Sequence, residues 1–134
     1  MTVFVDTSAF LAIMDADDSN HQRAKKKWVE LLEDNDPLLC SNYILIETFA
    51  LVQHRLGMKA VVIFQNDVVP VLQVHWVGEE LHRTGVAALL AARRRQLSLV
   101  DCVSFEVMRQ AGLDTAFAFD SDFASQGFRC IPLL

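Results

Sequence analysis

In Val3-Phe4-Val5-Asp6-Thr7-Ser8 an apolar run stops abruptly on a carboxylate. Three consecutive bulky apolar residues predict a strand buried on both faces, as in a parallel sheet covered by helices on each side. Asp6 then stands at the strand's C-terminal end, and ligands of open α/β sheets bind in the crevice outside those ends. The same residue types N-cap helices, so Asp6, Thr7 or Ser8 reads equally well as the cap of a following helix. The remainder of the chain has to choose between acid and cap.

The pattern recurs near the far end. Thr115-Ala116-Phe117-Ala118-Phe119 is a second buried-strand run that stops on Asp120, with Asp122 two residues on. Gly127 then turns the chain into a last short strand, Phe128-Arg129-Cys130-Ile131. Between these ends, strand and helix patterns alternate. Ala9–Met14 reads as a short helix, and Asp15, Asp17 and Asp18 as a solvated loop. Ala24, Trp28, Leu31 and Leu32 give 20–34 a helical apolar face, with Lys25, Lys26 and Lys27 largely on its wet side. Leu38-Leu39-Cys40 is of strand length, and Ser41 or Asn42 caps a helix running to Arg55 and closed by Gly57. Met58–Val69 has helical spacing limited by Pro70, and Val71–Val77 reads as a strand.

Two further acids lie on helices. The helix containing Ile44, Leu45, Ile46, Phe49, Ala50, Leu51 and Val52 is apolar nearly all round, yet it carries Glu47. A carboxylate on a buried helix is costly unless a basic residue pairs it, it is neutralised, or it holds a metal. Ser98-Leu99-Val100-Asp101 has the spacing of a capping box, which places Asp101 in the first turn of a helix ending before Gly112. Capping does not exclude a metal role for the same side chain. Ahead of it, a helix opened by Gly78, with Leu81, Gly85, Ala88, Leu89 and Ala92 on one face, ends in Arg93-Arg94-Arg95. Those arginines read either as cations favoured in a helix's last turn or as phosphate contacts beside an acidic pocket.

Alternating strands and helices predict an α/β fold with right-handed crossovers, a sheet with helices on both faces. Such a sheet presents its C-terminal edges on one side, which gathers Asp6, Glu47, Asp101 and Asp120. Crowded carboxylates repel and need a cation. His21, His54, His75 and His82 lack ligand spacing, and Cys40, Cys102 and Cys130 read as buried free thiols. Oxygen-only ligands favour magnesium or manganese. The 134 residues, 52% hydrophobic and 22% charged, suit one domain, 1–134. No apolar run approaches the roughly 18 residues that span a bilayer, and no basic stretch precedes a signal-peptide core. A cytoplasmic protein that engages no membrane is the expectation. The net charge of −5 argues against broad electrostatic binding to nucleic acid, although acids clustered at one site give the same balance.

At these residues the sequence resembles the PIN-domain ribonucleases, particularly their VapC-like toxin branch. Val3–Ser8 looks like the family's first motif and Glu47 with Thr48-Phe49-Ala50 like its second. Ser98–Asp101, and Phe119-Asp120-Ser121-Asp122-Phe123 followed by Gly127-Phe128, look like the third and fourth. The resemblance implies a three-layer α/β/α sandwich around a mainly parallel five-stranded sheet and a magnesium-dependent site that hydrolyses RNA phosphodiesters. It implies Asp6, Glu47, Asp101 and Asp120 as catalytic acids and metal ligands, with Asp122 supplying or sharing the fourth position. Thr7 or Ser8 would hold a ligand or phosphate by hydrogen bond, and Arg93, Arg94 and Arg95 would guide the RNA backbone. A homodimer and a cognate antitoxin are implied as partners. The alternatives are a PIN nuclease that processes RNA outside any toxin role and a PIN-fold binding module without catalysis. A receiver or haloacid-dehalogenase phosphoryl-transfer domain needs a lysine late in the chain, and none follows Lys59.

Overall fold

The computed structural model describes residues 1–133. Val3–Val5 (β1), Leu38–Ser41 (β2), Leu72–His75 (β3), Thr115–Phe117 (β4) and Arg129–Ile131 (β5) form one sheet. Its spatial order is β3-β2-β1-β4-β5, and every pairing is parallel. β1 and β4 are buried at every residue, as an uninterrupted apolar run requires when helices cover both faces of a parallel sheet. Chain order reverses between β1 and β4, and that reversal opens the crevice in which α/β sheets bind ligands.

The helices are Thr7–Met14 (α1), His21–Glu33 (α2), Asn42–Leu56 (α3), Met58–Ile63 (α4), Glu79–Ala92 (α5), Leu99–Ala111 (α6) and Ser121–Ser125 (α7). α1 packs on α2 and α3, α5 on α6, and α3 on α6. Two aromatic groups anchor the layers. Phe64 meets Phe10 and Phe49 edge-on at 5.3 and 5.1 Å, and Phe123 meets Phe105 at 5.0 Å. These offset contacts suit the ring quadrupoles better than face-to-face stacking.

Several local readings need correction. The expected helix over 58–69 is regular only to Ile63, widens into a π turn over Phe64–Val68, and tightens into a 3₁₀ turn over Val69–Val71. Pro70 lacks the N–H that a continuing α-helix needs, while the wide turn carries Phe64 and Val68 into the core. α5 stops at Ala92, and Arg93 adopts a left-handed conformation (φ 51°), so the arginines lie beyond the helix and not in its last turn. α3 is less enclosed than its composition suggests, because Ile46 is 67% exposed. Glu47 is accordingly half-buried and keeps part of its hydration, so it does not require a partner in the way a fully buried carboxylate does. Lys25 and Lys26 are exposed, and Lys27 pairs with Glu30 at 3.0 Å.

Candidate active site

Asp6 is both the acid and the cap. It ends β1, where its backbone N–H donates to Phe117 O of β4 at 3.0 Å, and its side chain N-caps α1. Asp6 Oδ2 accepts from Ser8 N–H at 3.1 Å and from Ser8 Oγ at 2.6 Å. Ser8 Oγ in turn accepts from the Phe119 N–H at 3.0 Å, so one hydroxyl clamps the ends of β1 and β4 together. The Ser8 hydroxyl is thereby engaged within the protein. Thr7 is also internal, buried and accepting from Thr48 Oγ1 at 3.2 Å, which ties α1 to α3 beside Glu47.

Asp101 likewise combines two roles. Its backbone N–H donates to Ser98 Oγ at 3.0 Å, and its Oδ2 accepts from Ser98 N–H at 3.1 Å, completing the capping box of α6. The same carboxylate meets Asp120 and Asp122, and one oxygen of each of the three lies within 4.8 Å of the other two. Asp120 N-caps α7, accepting from Asp122 N–H at 2.9 Å, which turns Asp122 back toward Asp101. Both candidates for the fourth acid therefore sit against Asp101. No pattern marks α7, because five residues are too few to show a period.

Burial and crowding leave their mark on titration. Burial pushes the Asp6 carboxyl up from 3.8 to about 7 against the two Ser8 hydrogen bonds, with the charges of Asp101 and Glu47 adding to the rise. Asp101 is raised by burial and then by Glu47 and Asp122, and Asp120 by burial and then by Asp101 and Asp122. Asp6, Glu47, Asp101, Asp120 and Asp122 thus form one electrostatic set, of which the last three make the tightest group. Its donors are all carboxylate oxygens at the spacing of a shared ion, which fits magnesium or manganese. Cys40, buried in β2, is pushed up to about 12 by desolvation and is an inert thiol.

Of the arginine run, Arg94 reaches the acids, with Nη2 3.1 Å from Asp122 Oδ1. Arg93 and Arg95 are exposed and reach no acid among the described residues. On the β5 side of the acids, Arg23 of α2 and Phe119 enter the surroundings of Asp120; Phe119 belongs to the strand run and motif read above, whereas no pattern marks Arg23. Arg23 lies on the polar face of an ordinary amphipathic helix, so nothing in its sequence context marks it.

This arrangement has counterparts. The PIN domain family model matches residues 3–128. The chain is 35% identical over 127 residues to the 23S rRNA-specific endonuclease VapC20 of Mycobacterium tuberculosis, covering 94% of this chain and 95% of that one. The crystal structure of that protein, described as a sarcin-ricin loop cleaving toxin, superposes with a TM-score of 0.82 over the same shares. At 11% identity, VapBC2 from Rickettsia felis, solved bound to a DNA fragment from its promoter, shares the fold with a TM-score of 0.70 over 97% of both chains. FitAcB from Neisseria gonorrhoeae does so at 15% identity and 0.68, over 97% of this chain and 96% of that one. The chain belongs to the PIN-domain family and to its VapC-like branch.

Proposed function

We propose that this protein is a divalent-cation-dependent ribonuclease and the toxin of a toxin–antitoxin pair. The observation that carries the reading is the convergence of five carboxylates at the β1/β4 switch point of a chain related over nearly its full length to a ribosomal RNA endonuclease. Asp101, Asp120 and Asp122 would hold the cation, with Asp6 and Glu47 completing its surroundings. When bound, magnesium or manganese activates water as the nucleophile and lowers the cost of negative charge on the phosphate and the leaving oxygen.

The chain's own residues supply position and charge. Ser8 fixes the Asp6 carboxylate against the β4 edge, and the Thr7–Thr48 bond holds α3 at the distance that keeps Glu47 beside it. Arg94 is placed to move from Asp122 to a phosphate oxygen once a cation takes the acids, and Arg93 and Arg95 extend that positive strip along the backbone path. No side chain forms a covalent intermediate. The exposed Ile46 of α3 and Met58, Val62 and Ile63 of α4 favour a homodimer closed over part of this surface. An antitoxin would silence the site by covering the acids.

Large-subunit ribosomal RNA is the substrate to assay, with magnesium, with manganese and with chelator, using wild type and Asp101→Asn. Cutting that requires the metal and disappears in the variant is the expected result. Cleavage that persists under chelation, or an Asp101→Asn enzyme at the native rate, overturns the assignment.

A further inference from the structure

A cavity of about 440 Å³ adjoins the acids on the β5 side and has no part in the chemistry above. Its walls include Asn20, Arg23, Phe119, Asp120, Ala124 and Cys130. Arg23 lies over the Phe119 ring, with Cζ 5.4 Å from the centroid. Its Nη1 donates to Asn20 Oδ1 at 3.0 Å, whereas Nη2 is buried without a hydrogen-bond partner among the described residues. A buried, charged donor left unpaired is costly, and such groups in native folds call for a reason. A ligand in the cavity that this side chain lines would offer the guanidinium a further acceptor.

We propose that this cavity is a base subsite, receiving an unpaired guanine next to the scissile phosphate. The inference rests on the ribonuclease reading. Guanine presents two acceptors, N7 and O6, on one edge, which a guanidinium with free donors matches. Adenine presents one acceptor, N7, beside an amino donor on the same edge, which a guanidinium matches less well. Apolar walls and the Phe119 ring cover the faces of the base, the usual way in which proteins hold splayed-out RNA bases. Asp120 in the wall disfavours a phosphate there, and its carboxylate can accept from an N–H donor of a base. Because Asp120 belongs both to the acid cluster and to this wall, an RNA strand whose phosphate lies at the acids has an adjoining base at the cavity mouth.

Two measurements test the subsite. In the first, guanosine, cytidine and inorganic phosphate are titrated separately into the metal-free full chain while the Arg23 Nε–H and Phe119 ring signals are followed by NMR. Guanosine should move both, with cytidine weaker by about fivefold or more. Phosphate moving them while guanosine does not would overturn the proposal in favour of an anion site. In the second, wild type, Arg23→Ala and Arg23→Lys cut a randomised RNA pool with magnesium, and base frequencies around the cuts are read. Wild type should prefer guanine at one position beside the cut by on the order of tenfold, and both variants should lose that preference at that position alone. Arg23→Lys retains the charge and much of the packing, so its loss is not one of folding. Unchanged base profiles in both variants overturn the subsite, as does an unchanged profile with weakened antitoxin binding, which makes the cavity a peptide site. A wild type that cuts no RNA defeats the nuclease reading, and the nucleoside titration then decides the subsite by itself.

Discussion

Arg94 donates from Nη2 to Asp122 Oδ1 at 3.1 Å, so the acidic pocket contains its own counter-charge. The arginine is half-exposed and the aspartate mostly buried, and pairs of this kind contribute roughly 0.2–1 kcal/mol. A cation entering the pocket competes with that arginine for Asp122. Arg94→Ala should therefore bind magnesium up to about fivefold more tightly by titration calorimetry. It should nonetheless cleave RNA with a raised KM, because the phosphate contact proposed for Arg94 would be gone. Equal weakening of metal binding and RNA binding would show that Arg94 does nothing but brace α7.

Ser8 supports the site through a single oxygen that donates to Asp6 and accepts from Phe119 N–H. Ser8→Ala removes both bonds and leaves a partly buried amide without its acceptor. The expected loss is about 1–3 kcal/mol by urea denaturation. The Asp6 carboxylate also loses the bond that favours its ionised form, so the acid limb of the pH–rate profile should move to higher pH. Ser8→Thr, which keeps the hydroxyl, should restore most of both. An Ala variant with the wild-type acid limb would remove Ser8 from any role in tuning Asp6.

Local chemistry was legible in the sequence, as was the gathering of acids along one sheet edge, whereas individual long-range contacts were not. The Ser98–Asp101 capping box, the Ser41 cap of α3 and the end of α3 at Gly57 are written within a few residues of themselves. The strand runs were equally clear, because β1 and β4 lie in the sheet interior and are apolar throughout. Glu47 was harder, since an apolar helix composition reads as burial even when Ile46 faces outward. The Arg94–Asp122 pair spans 28 residues of sequence and the Ser8–Phe119 bond 111, so neither leaves a periodic trace. Arg23 is the extreme case, marked only by the cavity that the fold builds around it.

Gly85 tests the frame that carries the acids. It faces α6, and a Cβ built there would lie 2.5 Å from Val103 Cγ2. Valine is stiff at χ1, so that methyl group cannot turn aside cheaply. Gly85→Ala should destabilise the fold by about 1–3 kcal/mol through overpacking, despite alanine's better helix propensity. Gly85→Ala combined with Val103→Ala should recover part of the loss, a coupling that a double-mutant cycle measures directly. A stabilised single variant would mean that α5 sits farther from α6 than the contact indicates.

The crowding of acids proposed to hold a cation should make the metal-free fold sensitive to pH, with a sign that can be stated. The Asp6 carboxyl stands at about 7 in the folded protein against an ordinary 3.8, so between those values the folded chain holds a proton that the unfolded chain has released. Stability from this group is fully present below about pH 4 and is lost as pH rises through 7, and the raised Asp101 and Asp120 carboxyls act in the same direction. Asp6→Asn removes the ionisation and keeps an amide oxygen to cap α1, and asparagine caps about as well as aspartate. Without metal, the variant should melt above wild type at pH 8, at roughly 4 °C for each kcal/mol recovered, and the two should converge toward pH 4. Magnesium at ten times its dissociation constant should add about 1.4 kcal/mol to wild type at pH 8 and distinctly less to the variant. Calorimetric melts across this pH range, with chelator and with magnesium, provide the check. A variant that melts below wild type at every pH, with no magnesium response in either protein, would leave Asp6 as a helix cap and nothing more.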